Sequence, residues 1–238
     1  GIYRTEVGQT NSTRIAKSGR FPRWAPDGTK VAFVRNKAIV CVSSTGGAVF
    51  TVAKTPHARA VAWHPSGEQL LYTDGETIKL VSIQGGPKQI LASGSRFAEL
   101  DISKDATRLI ATALRPTRLI AFDPVSGQSR ELAKGCSGSL SPDGALVSNN
   151  LRDHKTLALR SWETGEIISS ITPNTGDRFD NQFWSNHPDW IAGMSEGKQN
   201  DIYVHRVSQN RTYRVTTCGG CNRPDLYVSR DLRSDLEH

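Results

Sequence analysis

Apolar and polar residues alternate in short runs along the whole chain, and each run ends at a turn signal. The turns combine Pro, Asp and Gly, as in Pro26-Asp27-Gly28, or two glycines, as in Gly46-Gly47. Period-two alternation bounded by such turns is typical of β-strands, because Pro fixes φ and Gly tolerates φ > 0 in a tight turn. No segment sustains a 3.6-residue apolar period, so the pattern predicts an all-β fold with almost no helix.

One pattern of eleven residues recurs five times in the same register. Its copies are RWAPDGTKVAF (23–33), AWHPSGEQLLY (62–72), DISKDATRLIA (101–111), SLSPDGALVSN (139–149) and FWSNHPDWIAG (183–193). Their starts are 39, 39, 38 and 44 residues apart, which is a spacing typical of four-stranded propeller blades. Each copy predicts the end of a first strand, a tight turn and a second strand.

Two further strands follow each copy. Alternating third strands are predicted at 38–44, 77–83, 118–124, 156–162 and 201–207, and fourth strands at 48–53, 88–93, 129–134, 166–171 and 212–217. At the ends of the chain, residues 2–18 are typical of a third strand, a turn and a fourth strand, while residues 222–231 can supply an inner strand. The sequence therefore predicts a six-bladed β-propeller whose last blade both termini share, with five blades as the alternative.

Length and composition favour a single globular domain. The chain has 238 residues, 37% of them hydrophobic, and contains no run of eighteen apolar residues, so we expect no membrane insertion. We predict one domain over residues 1–235, followed by a purification-tag scar at 236–238. The formal charge of +7 comes from scattered basic residues, and without a contiguous basic and aromatic stripe nucleic acid is a disfavoured partner.

The units FPRWAPDGTKVAF and CSGSLSPDGALVSNN resemble the WD40-like PD40 repeats of TolB-type β-propellers, and the resemblance covers nearly the whole chain. It implies a periplasmic or secreted bacterial protein that binds a partner, or the non-catalytic propeller of a larger enzyme. The fifth copy departs from the SPDG turn, and we expect the chain to lack the amino-terminal domain that a full TolB carries. No TolB-specific partner is therefore carried over.

In a propeller, the loops entering each first strand and those joining second to third strands share one face around the central channel. Several Arg, His and acidic residues fall on these loops, which suits bidentate recognition of carboxylate, sulfate or phosphate groups, although ordinary solvated loop charge gives the same pattern. The predicted ligand-binding residues are Arg20, His57, Arg59, Arg96, Cys136, Arg152, His154, Arg178, Asp180, Asn181 and Arg223. The fifth-copy turn, NHPDW (186–190), is expected on the opposite face, where turn chemistry and Trp packing explain it.

The four cysteines predict different roles. For Cys218 and Cys221, in the sequence CGGC, we predict a disulfide; reduced thiols and a zinc site completed by Cys136 and His57 or His154 are the alternatives. No residue is assigned as a metal ligand. Cys41 alternates within a predicted strand and is expected to be buried.

Local catalytic motifs are absent: the sequence contains no G-x-S-x-G, H-E-x-x-H, P-loop or G-x-G-x-x-G. We therefore expect a binding protein with no catalytic residue and no cofactor, a monomer whose partner is a carbohydrate, an acidic polymer or a protein. The alternative is a propeller lyase or hydrolase of an acidic glycan, with candidates His57, Asp153, His154, Arg178 and Asp180. The third possibility is the propeller domain of a larger enzyme.

Overall fold

Five four-stranded antiparallel sheets follow one another along the chain and form the blades of a β-propeller. The computed structural model describes residues 1–176 and 178–229, and none of these is helical. Blade 1 consists of β3 (Arg20–Trp24), β4 (Lys30–Arg35), β5 (Ala38–Ser43) and β6 (Phe50–Lys54). Blade 2 consists of β7 (Ala58–Trp63), β8 (Gln69–Asp74), β9 (Thr77–Ser82) and β10 (Lys88–Ser93). The predicted all-β propeller is confirmed.

The remaining blades repeat the same order from the centre outwards. Blade 3 consists of β11 (Arg96–Ile102), β12 (Leu109–Leu114), β13 (Arg118–Phe122) and β14 (Ser129–Lys134). Blade 4 consists of β15 (Cys136–Leu140), β16 (Leu146–Asn150), β17 (Leu157–Ser161) and β18 (Ile167–Ile171). Blade 5 consists of β19 (Arg178–Trp184), β20 (Trp190–Glu196), β21 (Ile202–Arg206) and β22 (Arg211–Arg214).

A two-stranded sheet of β1 (Ile2–Thr5) and β2 (Ser12–Ala16) stands where the outer half of a sixth blade is predicted. Its buried residues Ile2 and Ile15 pack with Phe33 and Val40 of blade 1. The described residues thus contain five complete blades, which is the alternative blade count, and this two-stranded part of a further blade.

The apolar core lies between the faces of neighbouring blades. Val34 and Ile39 of blade 1 pack with Trp63 and Tyr72 of blade 2 in one cluster, and equivalent clusters join blades 2 and 3, 3 and 4, and 4 and 5. Burial of these side chains holds the blades in sequence, because each sheet covers the apolar face of the next. The inner strands are left free to surround a polar channel.

Residues 222–229, called the closing segment from here on, lie between blade 5 and blade 1. Asp225 Oδ2 accepts a hydrogen bond from Trp24 N at 2.6 Å, and Tyr227 packs on the Trp24 ring at 5.9 Å. Val228 bonds through both its N and its O with the Asn186 side chain, at 2.7 and 3.0 Å.

The prediction of an inner strand at 222–231 is wrong for the described residues, because 222–229 form no strand. The Asn186 side chain pairs with the backbone of Val228, and Pro224 has no N–H to donate to a ladder. Residues 230 and 231 and the predicted tag scar at 236–238 lie outside the described residues.

Candidate functional site

Every inner strand carries an irregularity in its pairing near the end where the strand begins. The register shifts between Arg20 and Arg23 in β3, and at the same place in β7, β11, β15 and β19. Phe21, Ser137 and Asn181 have positive φ there. An extra residue bends a strand and redirects its side chains. The five bulges therefore ring one end of the channel, which we call the mouth.

At the other end, next to the Pro-Asp-Gly turns, a buried ion-pair network fills the channel. Arg23 Nη2 lies 2.9 Å from Asp101 Oδ1, and Arg23 Nε lies 3.4 Å from Asp225 Oδ1. Asp101 Oδ2 also accepts from Ser139 Oγ at 2.6 Å, and the Arg23 guanidinium lies 4.1 Å from the centre of the Phe183 ring. Blades 1, 3, 4 and 5 and the closing segment meet in this network, so its role is closure of the ring.

The pKa values in this network follow from burial and charge. Burial opposes the charge on Arg23, but Asp225 and Asp101 outweigh it and raise the pKa of the guanidinium. Burial raises the pKa of Asp225 to about 6, and Arg23 only partly offsets this. The ionisation of each group in the network therefore depends on the charges of the other groups.

One half of the mouth carries carboxylates together with a thiol and an imidazole. Cys136 Sγ lies 4.0 Å from His154 Nε2, and His154 Nδ1 lies 3.5 Å from Asp180 Oδ2. Glu99 accepts a hydrogen bond from Ser137 N at 2.9 Å, and Ser137 Oγ donates to Asp180 Oδ1 at 3.1 Å. We call Glu99, Cys136, His154 and Asp180 the acidic half of the mouth.

Burial and neighbouring charge shift the pKa values in the acidic half. Burial raises the pKa of Cys136 to about 12, and the carboxylates of Asp180 and Glu99 add to the effect. Burial also raises the pKa of Glu99, with the nearby Asp180 charge acting in the same direction. Unless a metal cation displaces its proton, a thiol in this setting stays protonated, unlike the low-pKa thiols of nucleophilic cysteines.

Four arginines occupy the other half of the mouth. They come from three blades: Arg20 begins β3, Arg59 lies in β7, Arg96 begins β11, and Arg115 lies in the loop between β12 and β13. Burial lowers the pKa of Arg59, and the charges of Arg96, Arg20 and Arg115 lower it further. Within the described parts of the chain, none of the four forms an ion pair with a carboxylate. We call them the arginine cluster.

Arg223 of the closing segment stands between the two halves. Its guanidinium lies 4.0 Å from the centre of the Phe21 ring. Burial lowers the pKa of Arg223, while the charges of Glu99 and Asp180 raise it and that of Arg20 lowers it. The charge of Arg223 therefore interacts with both groups: it is attracted by the acidic half and repelled by the arginine cluster.

The structure brings together many of the residues that the sequence singles out. Arg20, Arg59 and Arg96 meet in the arginine cluster, Cys136, His154 and Asp180 meet in the acidic half, and Arg223 lies between them. Asn181 is next to Asp180, and its N donates to Asp180 Oδ1 at 2.7 Å.

Three predicted residues lie apart from both groups. His57 and Arg152 are exposed on loops. Arg178 lies 3.7 Å from Glu196 across its own blade. No contact among the described residues links His57 or Arg152 to the arginine cluster or to the acidic half.

Two residues of the mouth, Glu99 and Arg115, are missing from the predicted set of ligand-binding residues. Glu99 stands two residues before the third repeat copy, the same position as Phe21, Ser137 and Asn181 in their copies. Those three residues have positive φ and lie at the mouth. The sequence signal that could have identified Glu99 was therefore its position in the repeat alignment.

The fifth-copy turn lies on the face opposite the mouth. A cavity of ≈ 310 Å³ on that face is lined by Pro188 together with Lys104, Asp105, Pro142 and Asp143 of the neighbouring turns. Within the turn, His187 N donates to Ser185 Oγ at 3.0 Å, and the Trp190 ring packs 6.0 Å from that of Tyr213. The Asn186 side chain bonds to the backbone of Val228 in the closing segment. The Pro found at this position in the first, second and fourth copies has no side-chain amide group to make these bonds, which gives a chemical reason for the different turn.

Cys218 and Cys221 are joined by a disulfide next to the loop between β20 and β21. Cys221 N donates to Asn200 O at 2.9 Å, and Gly219 N donates to Asp201 Oδ1 at 3.1 Å. Neither sulfur is a thiolate in this state, so the CGGC pair supplies no metal ligand. Cys41 is fully buried in the cluster between blades 1 and 2.

The ring of antiparallel sheets around a polar channel places the chain in the class of β-propellers. No protein-family model matches the sequence, and no curated protein sequence matches it. Solved structures do match. A protein assigned as TolB from Agrobacterium tumefaciens has a TM-score of 0.74 at 14% identity, over 87% of this chain and 83% of that one.

Two further structures show the same likeness. TolB from Acinetobacter baumannii has a TM-score of 0.70 at 18% identity, over 87% of this chain and 56% of that one. A chain of a nidogen/laminin complex has a TM-score of 0.71 at 8% identity, over 87% of this chain and 82% of that one. The predicted TolB-like propeller is thereby confirmed as a fold, and at such identities the likeness extends to the fold alone.

Proposed function

We propose that this propeller is a non-catalytic binding protein whose mouth takes an acidic segment of a protein partner. The observation that carries the proposal is the arginine cluster. Four guanidinium groups from three blades converge without a carboxylate partner among the described residues. Like charges held together repel one another, and an anion placed among them removes that repulsion while accepting bidentate hydrogen bonds.

The division of the mouth into two halves favours a polypeptide over a uniformly anionic polymer. A polyanion crossing the whole mouth would meet the carboxylates of Glu99 and Asp180 as well as the arginines. A polypeptide segment can place its own acidic residues over the arginine cluster and neutral or basic residues over the acidic half. Such complementarity is a common source of specificity at protein interfaces.

We also propose an exported, periplasmic or secreted location. The resemblance to TolB-type propellers supports it, and so does the Cys218–Cys221 disulfide, because disulfides persist mainly in oxidising compartments. The described residues include no helix with the length and apolar character needed to cross a bilayer.

The test compares binding of a labelled oligo-glutamate peptide with binding of a sulfated polysaccharide. Fluorescence anisotropy should show that the peptide binds the wild type and that affinity falls as salt is raised, because salt screens exposed charges. The double variant Arg20→Gln/Arg59→Gln should bind the peptide at least about tenfold more weakly, since each charged hydrogen bond contributes roughly 1.5–3 kcal/mol.

The matched control is Arg14→Gln/Arg211→Gln, which removes the same charge from exposed positions on β2 and β22. Its peptide affinity should equal that of the wild type. If both double variants weaken binding equally, only net charge matters and the mouth is not the site. Tighter binding of the polysaccharide than of the peptide, lost in Arg20→Gln/Arg59→Gln, would replace the protein partner with an acidic glycan.

A further inference from the structure

The acidic half of the mouth contains a set of side chains that the proposed binding function does not use. One sulfur, one imidazole nitrogen and one carboxylate oxygen, from Cys136, His154 and Asp180, all lie within 4.8 Å of one another. They come from β15, from the loop between β16 and β17, and from β19, so two neighbouring blades supply them. We propose that these three residues form a binding site for a divalent transition metal, with Zn²⁺ as the preferred ion.

The three ligand atoms can surround a tetrahedral ion after the site contracts. Zn–S and Zn–N bonds of about 2.3 and 2.0 Å place neighbouring ligand atoms roughly 3.3–3.8 Å apart. An imidazole gives one nitrogen to a given ion, so the distances from Cys136 Sγ to His154 Nε2 (4.0 Å) and from His154 Nδ1 to Asp180 Oδ2 (3.5 Å) are not two edges of one tetrahedron. One sulfur, one ring nitrogen and one carboxylate oxygen lie within 4.8 Å of one another, and binding an ion would draw them closer. His154 lies on a loop and is only partly buried, so its ring has room to adjust.

The Asp180 carboxylate is held in a way that leaves one oxygen for a ligand role. Its Oδ1 accepts hydrogen bonds from Asn181 N at 2.7 Å, Ser137 Oγ at 3.1 Å and Asn150 Nδ2 at 2.5 Å. Its Oδ2 faces His154. Hydrogen bonds that fix a ligating carboxylate are a regular feature of metal sites.

Two buried polar atoms beside the cluster have no hydrogen-bond partner. They are His154 Nδ1 and Asn150 Oδ1, and Asn150 as a whole is only 1% exposed. Asn150 pairs with Cys136 in the strand ladder and touches Asp180 through its amide nitrogen. Unsatisfied buried polar atoms are costly, and a site for a bound ion is one established reason for them.

The same three residues resemble a Cys-His-Asp catalytic triad, because Nε2 of His154 faces the sulfur and Nδ1 faces the carboxylate. Two observations favour a metal instead. Glu99 lies beside Cys136 and would repel a thiolate nucleophile, whereas it attracts a cation. The backbone N–H of Ser137, where an oxyanion donor would be needed, already donates to Glu99 at 2.9 Å.

The ligand set selects the kind of ion. A thiolate with an imidazole and a carboxylate suits Zn²⁺, whereas Mg²⁺ and Ca²⁺ prefer oxygen ligands alone. Three protein ligands leave a fourth position open at the mouth. Among the described residues, Arg223 is a positive charge that interacts with Glu99 and Asp180, and its guanidinium stacks on the Phe21 ring.

The test is a titration of the chelator-treated full chain with Co²⁺ and with Zn²⁺. Co²⁺ bound to a thiolate gives a charge-transfer absorption in the near ultraviolet, and that band should appear with a stoichiometry of one ion per chain. Zn²⁺ should displace it. Cys136→Ser should abolish the band, and both Cys136→Ser and His154→Asn should weaken Zn²⁺ binding by at least about 100-fold, the upper range for loss of an outer-shell partner alone.

The variants are chosen so that misfolding does not imitate loss of the site. His154 has φ of 54°, a conformation that Asn tolerates, so His154→Asn removes the imidazole without straining the loop. Circular dichroism and the denaturation midpoint should match the wild type for this variant. His57→Gln, a histidine on the same face outside the cluster, should bind Zn²⁺ as the wild type does.

Three results would overturn the proposal. The wild type could give no thiolate band with Co²⁺. The folded His154→Asn variant could bind Zn²⁺ with wild-type affinity. The band could also vanish in Cys218→Ser/Cys221→Ser, which would move the metal to the CGGC pair.

Discussion

At the scale of single residues, each blade has one small and one larger residue at two positions of the repeat. These positions are the fourth residue before each eleven-residue copy and the last residue of the copy. The pairs are Gly19 with Phe33, Ala58 with Tyr72, Phe97 with Ala111, Gly135 with Asn149, and Phe179 with Gly193. In blade 5 a Cβ on Gly193 would lie 2.6 Å from Cε1 of the buried Phe179 ring. In each pair, a small residue in or next to one strand leaves room for the larger side chain on the neighbouring strand.

Gly193→Ala should therefore overpack blade 5 and lower the free energy of unfolding by about 1–3 kcal/mol. Urea denaturation measures the change. Gly220→Ala is the control, because a Cβ there meets no atom within 4 Å. Adding Phe179→Leu to Gly193→Ala should recover part of the loss, and full additivity of the two changes would show that the side chains do not compete for space.

Residue identities at the mouth were predictable from the repeat, but their grouping was not. Aligning the five copies puts Arg20, Arg59, Cys136 and Asp180 at one position. The alignment does not show that non-glycine residues adopt positive φ at the bulges, as Ser137 does. Such backbone conformations depend on contacts across blades, which a local pattern does not encode.

At the scale of elements, one buried carboxylate fastens the disulfide loop to the start of β21. Asp201 is 1% exposed and accepts hydrogen bonds from Gly219 N at 3.1 Å, Thr216 Oγ1 at 3.1 Å and Arg214 Nη2 at 2.5 Å. Burial alone would raise the pKa of Asp201, but these donors outweigh it and lower the pKa. The ionised form is thus the one that the fold stabilises.

Asp201→Asn should be less stable than the wild type at neutral pH by roughly 1.5–3 kcal/mol, because it loses hydrogen bonds to a charged group. The folded pKa lies below the unfolded value of about 3.9, so the stabilisation is present above that value and is lost as pH falls through the folded pKa. Urea midpoints of both proteins across acidic and neutral pH should converge at the acidic end. A difference that stays constant with pH would show that Asp201 acts without its charge.

Strands were the most predictable elements. Third strands were predicted from alternation at 77–83 and 118–124, and β9 and β13 occupy Thr77–Ser82 and Arg118–Phe122. These strands have one face on each neighbouring blade, so their pattern is strong. An inner strand was also predicted in the closing segment, but its described residues form none: the backbone of Val228 pairs with the Asn186 side chain, and the Asp225 side chain accepts a hydrogen bond from Trp24 N.

At the scale of the whole molecule, the described residues complete the ring through a few hydrogen bonds, ion pairs and ring contacts, and none of the apolar clusters of these residues joins blade 5 to blade 1. The clusters that join successive blades run from the two-stranded sheet to blade 5. In the part of the chain that the structure describes, blade 5 and blade 1 meet through Arg23 with Phe183 and through the closing segment. This junction is consequently the place where we expect the ring to open first.

Asn186→Ala tests this expectation because Asn186 makes two hydrogen bonds with the backbone of Val228. Their loss leaves buried backbone groups unpaired, so the free energy of unfolding should fall by about 1–3 kcal/mol. Amide hydrogen exchange should speed up in residues 222–229 and at Trp24, whose N–H bonds to Asp225. The apolar clusters between blades 2, 3 and 4 should keep their protection.

Asn11→Ala, at an exposed position between β1 and β2, should leave both measurements unchanged. Uniform acceleration across all blades in Asn186→Ala would instead mean that the ring opens as one cooperative unit, with no weaker junction.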